Sequence, residues 1–246
     1  MEKYILLGSV HPERALISSH QINIVFLHPA TEKPGKLEAK ILMNDIFVQI
    51  ESKELWDIYD LKNVVVWALQ SELSRIGFIT GHEYKPEIHR VINDKEQIDF
   101  VYGIDVSCIA QRNQQINFEN KLHELRNLST GENGIYIQTC LNDLMYAIRY
   151  PENTAFFCYR AIELLRNHYK KIFKEEVNDS QLWAKFREFC GLSSRDEIDF
   201  IKQDADPVRH GSELIFQYKK RDEILLKTWD IVDSYFLKLK QECATH

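Results

Sequence analysis

The apolar residues of this 246-residue chain change their spacing once, and that change limits what the chain can fold into. Up to about Ala110 they come in short β-branched and aromatic runs, partly alternating and broken by Pro, Gly and Asn-Asp steps, as in strands and hairpins. From Phe118 onward they recur every three or four residues in segments separated by breakers, as in amphipathic helices. One segment cannot satisfy both periods, so the two regions must build separate layers. The expected class is α+β: a mixed helix-and-strand domain over residues 1–112, then an antiparallel all-α bundle over 113–246. Polar Arg112-Asn113-Gln114-Gln115 would link them.

In the first region, strands are expected over Tyr4 to Val10 and Gln21 to Phe26, the latter broken by His28-Pro29. Lys33-Pro34-Gly35-Lys36 reads as a turn. Leu37 to Leu42 and Ile46 to Glu51 read as a hairpin across Asn44-Asp45. A helix capped by Asp60 carries Val64, Trp67 and Ala68 beside Val65, Leu69, Leu73 and Ile76, and Gly77 and Gly81 end it. A second hairpin joins Glu87 to Ile92 with Ile98 to Val106.

In the second region, Phe118, Leu122 and Leu125 form a short stripe. Ile137, Leu141, Leu144, Met145 and Ile148 form another, stopped by Tyr150-Pro151. A third helix, capped by Asn153, carries Phe157, Ala161, Leu164, Leu165, His168 and Ile172 on one face. A fourth carries Leu182, Trp183, Phe186 and Phe189 and ends at Gly191. Ser194-Arg195-Asp196-Glu197 reads as a capping box, and Ile224 to Leu239 as the buried side of a long last helix.

Charge and cysteine content narrow the function. A formal net charge of −6 argues against a generally basic surface for duplex nucleic acid, while 31 Lys and Arg leave room for a local patch. No run approaches the roughly 20 apolar residues of a membrane span, and the N-terminus is too briefly apolar for a signal peptide, so a cytoplasmic protein is expected. The five scattered cysteines contain no Cys-x-x-Cys pair and imply neither a zinc site nor a disulfide framework. His82 and His89 lie seven apart in strand-like sequence, which does not make a zinc-protease face. Neither a metal nor a cofactor is expected.

The segment richest in chemistry is Asp204-Ala205-Asp206-Pro207-Val208-Arg209-His210-Gly211. Pro207 should end or kink the helix begun at Ser194, presenting acids, a guanidinium and an imidazole on a bend. An arginine there can bind phosphate and a histidine can move a proton near neutral pH; equally, both can pair with neighbouring helix ends. Arg160 and Glu163 lie three apart on one helix. They can pair with each other, or face the bend with Arg160 on a phosphate and Glu163 orienting His210. His168, on the apolar stripe, reads as a core histidine. Lys219-Lys220-Arg221 could extend a phosphate-binding surface.

The order of these pieces carries a resemblance. Tyr159-Arg160-Ala161-Ile162-Glu163-Leu164-Leu165-Arg166 comes first, then a Trp/Phe-rich helix, then Ala205 to Gly211 and a long closing helix. Over roughly Asn133 to Lys240 this resembles the HEPN superfamily of nucleotide- and RNA-associated helical bundles, including members found beside prokaryotic defence genes. The resemblance implies nucleotide or RNA binding, a role as a protein-interaction component of a defence or toxin–antitoxin system, and a homodimer formed through the bundle. Its ribonuclease members carry an arginine four to six residues before a histidine. Here Ala205, Asp204 and Gln203 occupy the corresponding positions before His210, with Arg209 adjacent instead. Arg14 to His20 and Arg75 to His82 have the spacing but lie outside the bundle. The sequence therefore implies a binding site formed by Asp206, Arg160 and Glu163. The alternative is metal-independent RNA cleavage with Arg209 and His210 as the catalytic pair.

Overall fold

The computed structural model describes residues 1–27, 34–103, 106–211 and 218–244. The chain is α+β and divides into two compact units, Met1–Ile104 and Asp105–His246.

The first unit holds six strands: β1 (Glu2–His11), β2 (Ser19–Leu27), β3 (Pro34–Leu42), β4 (Asp45–Ser52), β5 (Lys85–Asn93) and β6 (Ile98–Val101). They form one antiparallel sheet in the order β2-β3-β4-β1-β5-β6. Burial alternates along β1, β3 and β4, as a sheet with one covered face requires. The helix α1 (Ile58–Thr80) buries Leu61, Val65, Leu69 and Leu73 in the core to which Tyr4, Leu37, Ile41, Ile50 and Val91 also belong. Between β3 and β4 the turn residues are Met43 and Asn44, at φ 51° and 67°, one position earlier than expected. Buried Asn44 accepts the Ile17 N–H on Oδ1 at 2.7 Å and donates to the Glu13 carbonyl at 3.2 Å. Gly8 sits where the β1–β5 register shifts, and a Cβ there would lie 2.2 Å from the Glu87 carbonyl oxygen; only glycine lets the bulged strands approach so closely.

Further expectations in this unit change. Pro34 and Gly35 belong to β3, paired with Leu27 and Phe26; the His28-Pro29 break and Lys33 lie outside the described residues. Asp57, not Asp60, caps α1 by accepting the Tyr59 and Asp60 N–H groups. Trp67 is half-exposed rather than inward.

The second unit contains α2 (Ser107–Arg112), α3 (Phe118–Leu128), α4 (Gly134–Arg149), α5 (Thr154–Ile172), α6 (Asp179–Cys190), α7 (Asp196–Arg209) and α8 (Tyr218–Ala244), with a 3-10 turn at Pro151–Asn153. No strand occurs there among the described residues. α5 is central and packs against α4, α6, α7 and α8. Cys158, Ala161, Ile162 and Leu165 of α5 share one core with Ile137, Phe186, Ile201, Tyr235 and Phe236. Arg112 ends α2 rather than opening a free linker, and it pairs with Asp230 at 2.7 Å and Asp233 at 2.8 Å. α6 begins with an Asn178–Gln181 capping box and ends at left-handed Gly191. Glu197 reaches back to the Ser193 and Ser194 N–H groups, while Ser194 Oγ accepts from Asp196 rather than Glu197. Among the described residues no helix is long and apolar enough to cross a membrane.

Candidate functional site

α7 runs through Pro207 and stops at Arg209, with the His210 N–H bonded to the Asp206 carbonyl and Gly211 left-handed. The bend expected at Pro207 thus comes two residues later. The lost N–H falls in the last turn, where few bonds remain to break, and Ile201 and Ala205 stay buried against the core. Arg209 and His210 are consequently exposed at the helix end, and Asp206 is half-buried one turn before them.

Facing this end is Glu163, at the middle of α5. Its Oε1 lies 3.9 Å from Arg209 Nη1, an ion pair too long for a good hydrogen bond. Burial raises the Glu163 carboxyl, and Arg209, Arg166 and Lys202 only partly offset it. One turn earlier on α5 is Tyr159, whose hydroxyl is pushed up to about 12 by burial and then by the carboxylates of Glu163 and Asp206. Tyr159 stacks on Trp183 of α6 at 6.1 Å between ring centres, and Arg166 lies over the same indole at 4.4 Å. Arg166 also donates to Asp179 at 2.8 Å, while its buried Nε has no hydrogen-bond partner among the described residues. Three helices therefore converge on a cluster of three cations (Arg166, Lys202, Arg209) and three carboxylates (Glu163, Asp179, Asp206) around an aromatic pair.

Other candidates go elsewhere. Arg160 turns to α4 and grips Asp143 with two nitrogens, Nε to Oδ2 at 2.7 Å and Nη2 to Oδ1. Its guanidinium also lies over Phe156 and Phe157. Arg160 and Glu163, three apart in sequence, thus find different partners, and Glu163 meets Arg209 rather than His210. His168 is a core residue, 3% exposed, with Nδ1 2.6 Å from the Tyr235 hydroxyl. Burial pushes it down to about 4. Arg221 faces inward instead of extending a basic surface, with Nε donating to Thr154 Oγ1 at 3.0 Å and Nη2 to the Ile148 carbonyl at 2.9 Å. It satisfies the C-terminal carbonyls of α4, and burial lowers its pKa. Lys220 sits 3.8 Å from Asp204; the Lys219 side chain lies outside the described residues. His82 contacts the Tyr84 hydroxyl at 3.2 Å. Among the described residues no three His, Cys, Asp or Glu side chains are grouped to hold a metal.

The sequence did not single out Asp143, Arg166, Asp179 or Trp183 as polar partners. Asp143 carried a signal, since it falls four residues before Ala147 and three after Cys140 on what is the buried stripe. A cavity of about 410 Å³ between α3, α4 and α8 is lined by Leu125, Leu144, Trp229 and Phe236 among others, and by none of the residues expected at the site.

Two family models match the chain. The C-terminal domain of DUF8168 matches residues 122–240, and its N-terminal domain matches residues 4–102; both are domains of unknown function. No curated protein and no solved structure matches it. Matched in order by the models of both domains, the chain belongs to the DUF8168 family.

Proposed function

We propose that the helical unit is a HEPN-like bundle that binds the phosphates of RNA or a nucleotide at the Arg209 end of α7. The observation that carries this reading is the Glu163–Arg209 pair. Arg209 is exposed and held at 3.9 Å by a carboxylate that burial already disfavours as an anion. A phosphate offers the guanidinium two close acceptors and full charge, so it outcompetes Glu163. Lys202 and Arg166 also lie close enough to Glu163 to act on its charge, against Asp179, which acts in the opposite sense. Cleavage by His210, the alternative, has less support: among the described residues its ring has no orienting partner, as a general acid or base requires.

The test is binding of the full chain to a fluorescein-labelled single-stranded RNA over a salt series. Arg209→Ala should weaken binding by about tenfold, the effect of losing one charge-assisted bond. It should also reduce the slope of log affinity against log salt by about 0.7, one phosphate contact on a single strand. Glu163→Gln, which removes the competing anion, should tighten binding. Unchanged affinity and slope in Arg209→Ala would reject the site. Metal-independent RNA breakdown that disappears in His210→Ala would transfer the assignment to catalysis.

A further inference from the structure

The two edges of the sheet are built differently. β6 is four residues long, and its Asp99 is held by Arg90 across the strands at 2.6 Å. Shortness and charge are ordinary protection for an edge, which otherwise offers a row of unpaired N–H and C=O groups to any passing strand. β2, at the opposite edge, has none of this. Its nine residues, Ser19-His20-Gln21-Ile22-Asn23-Ile24-Val25-Phe26-Leu27, contain no Lys, Arg, Asp, Glu or Pro. Its register with β3 runs unbroken from Ser19 to Leu27, so no bulge twists the edge away. Among the described residues its backbone bonds to β3 alone. Such a strand is either an aggregation hazard or a docking edge.

We infer that β2 pairs antiparallel with β2 of a second copy, about a two-fold axis at Asn23, to form a continuous twelve-stranded sheet. The strand is complementary to itself in that register. Ile22 then faces the partner's Ile24, and His20 the partner's Phe26, all on the side that carries the core. On the other side Gln21 faces the partner's Val25, which is 82% exposed in the single chain. The strand carries no formal charge with His neutral, so no like charges meet. An axis shifted by one residue leaves the faces matched but shortens the ladder, whereas a one-residue slip of register would set core residues against solvent-facing ones. A two-fold interface needs one patch that fits its own copy, and β2 meets that condition.

The experiment is sedimentation equilibrium of the full chain from low to high micromolar concentration, with Gln21→Lys/Val25→Lys as the first variant. Both positions are solvent-facing, so the variant folds, but in the dimer each introduced lysine meets another. Its dimerisation should weaken by about tenfold, the combined effect of like charges set directly opposite in two symmetric pairs. Mixing it with Gln21→Glu/Val25→Glu should restore a dimer containing one chain of each kind. Asn23→Cys should give a disulfide-linked dimer on oxidation beyond the wild-type background, because directly opposite residues lie about 4.5–5.5 Å apart at Cα. Gln21→Cys, placed off the axis, should not. A wild-type chain that stays monomeric throughout overturns the inference. So does a dimer indifferent to the lysine pair, or a charge-swapped mixture that does not associate.

Discussion

The two units bury polar side chains in different places. Among the described residues of the sheet unit, the buried polar residues are Glu2, Asn44, Ser52 and Asn93, and each lies at a strand end or a turn. There the backbone has unpaired groups to offer, and Asn44 is bonded to two of them. Most ion pairs of that unit, such as Arg90–Asp99 and Lys36–Glu38, lie on the surface; Glu2, at the start of β1, departs from this, its side chain being 8% exposed and paired with Lys95. In the helical unit, Asp143, His168 and Thr228 are buried in mid-helix, facing the core, and Thr154 is buried at the start of α5. A strand has already spent its mid-strand backbone groups on neighbours, and its alternation sends charges outward. A helix face of period 3.6 sweeps a wider arc, so a polar residue can be carried inward, where it must find a partner: a side chain for Asp143 and His168, the Ile224 carbonyl for Thr228. Identical residue types should therefore matter much more to stability in the second unit.

The contrast breaks most directly on two arginines. Arg160→Ala strands the Asp143 carboxylate, 1% exposed, without its counter-ion. Removing one partner of a buried pair costs about 3–5 kcal/mol; because Arg160 itself is 42% exposed, the lower end, about 3 kcal/mol, is expected. Arg90→Ala removes a pair whose members are 40% and 56% exposed and should cost less than about 1 kcal/mol. Hydrogen exchange resolved by peptide reads each unit separately. Equal losses in the two units would erase the distinction.

A second prediction concerns pH. In the folded state His168 titrates at about 4 against an ordinary 6.5, because burial disfavours the imidazolium. As pH falls below about 6.5 the unfolded chain takes up this proton while the folded one does not, so stability is lost between about 6.5 and about 4. Above that window the contribution is complete, and below it the loss saturates at about 3 kcal/mol. Peptides of α5 and α8 should lose protection over this window. His168→Phe should flatten the dependence, since it removes the titrating group. A profile in that variant as steep as wild type would assign the acid sensitivity to other groups.

How much of this was legible follows from the same contrast. Sheet alternation needs no knowledge of partners, so all six strands were readable, with ends displaced by a few residues. The helix in the first unit was read from its stripe, but its cap fell on Asp60. Asp57 and Asp60 are equally good caps locally. The choice is tertiary: buried Trp56, whose backbone N–H donates to the Tyr4 hydroxyl at 2.9 Å, fixes where the chain turns inward. On α4 the stripe was read through Leu141 and Met145, whereas Cys140, Asp143 and Ala147 are buried and Met145 is exposed. Asp143 was not part of the stripe read from the sequence, and only Arg160, 17 residues on, explains why a carboxylate sits inside. Of the site, Arg209 and Glu163 were singled out in the sequence. Their pairing was not, because it depends on α7 continuing past Pro207.

The smallest effect sharpens the comparison from the other side. Asp57 caps α1 in the sheet unit and Asn178 caps α6 in the helical unit, each through a side-chain oxygen that accepts first-turn N–H groups. Both side chains are exposed. A cap satisfies backbone donors of its own helix and asks nothing of the surrounding core. Asp57→Ala and Asn178→Ala should therefore each cost about 1 kcal/mol in their own unit, measured by urea unfolding with hydrogen exchange assigning the loss. Near-equal values would mean that the contrast between the units comes from mid-helix burial, not from a generally more sensitive helical unit. A clearly larger loss for Asn178→Ala would mean that the helical unit amplifies any perturbation, and the burial argument would then have to give way.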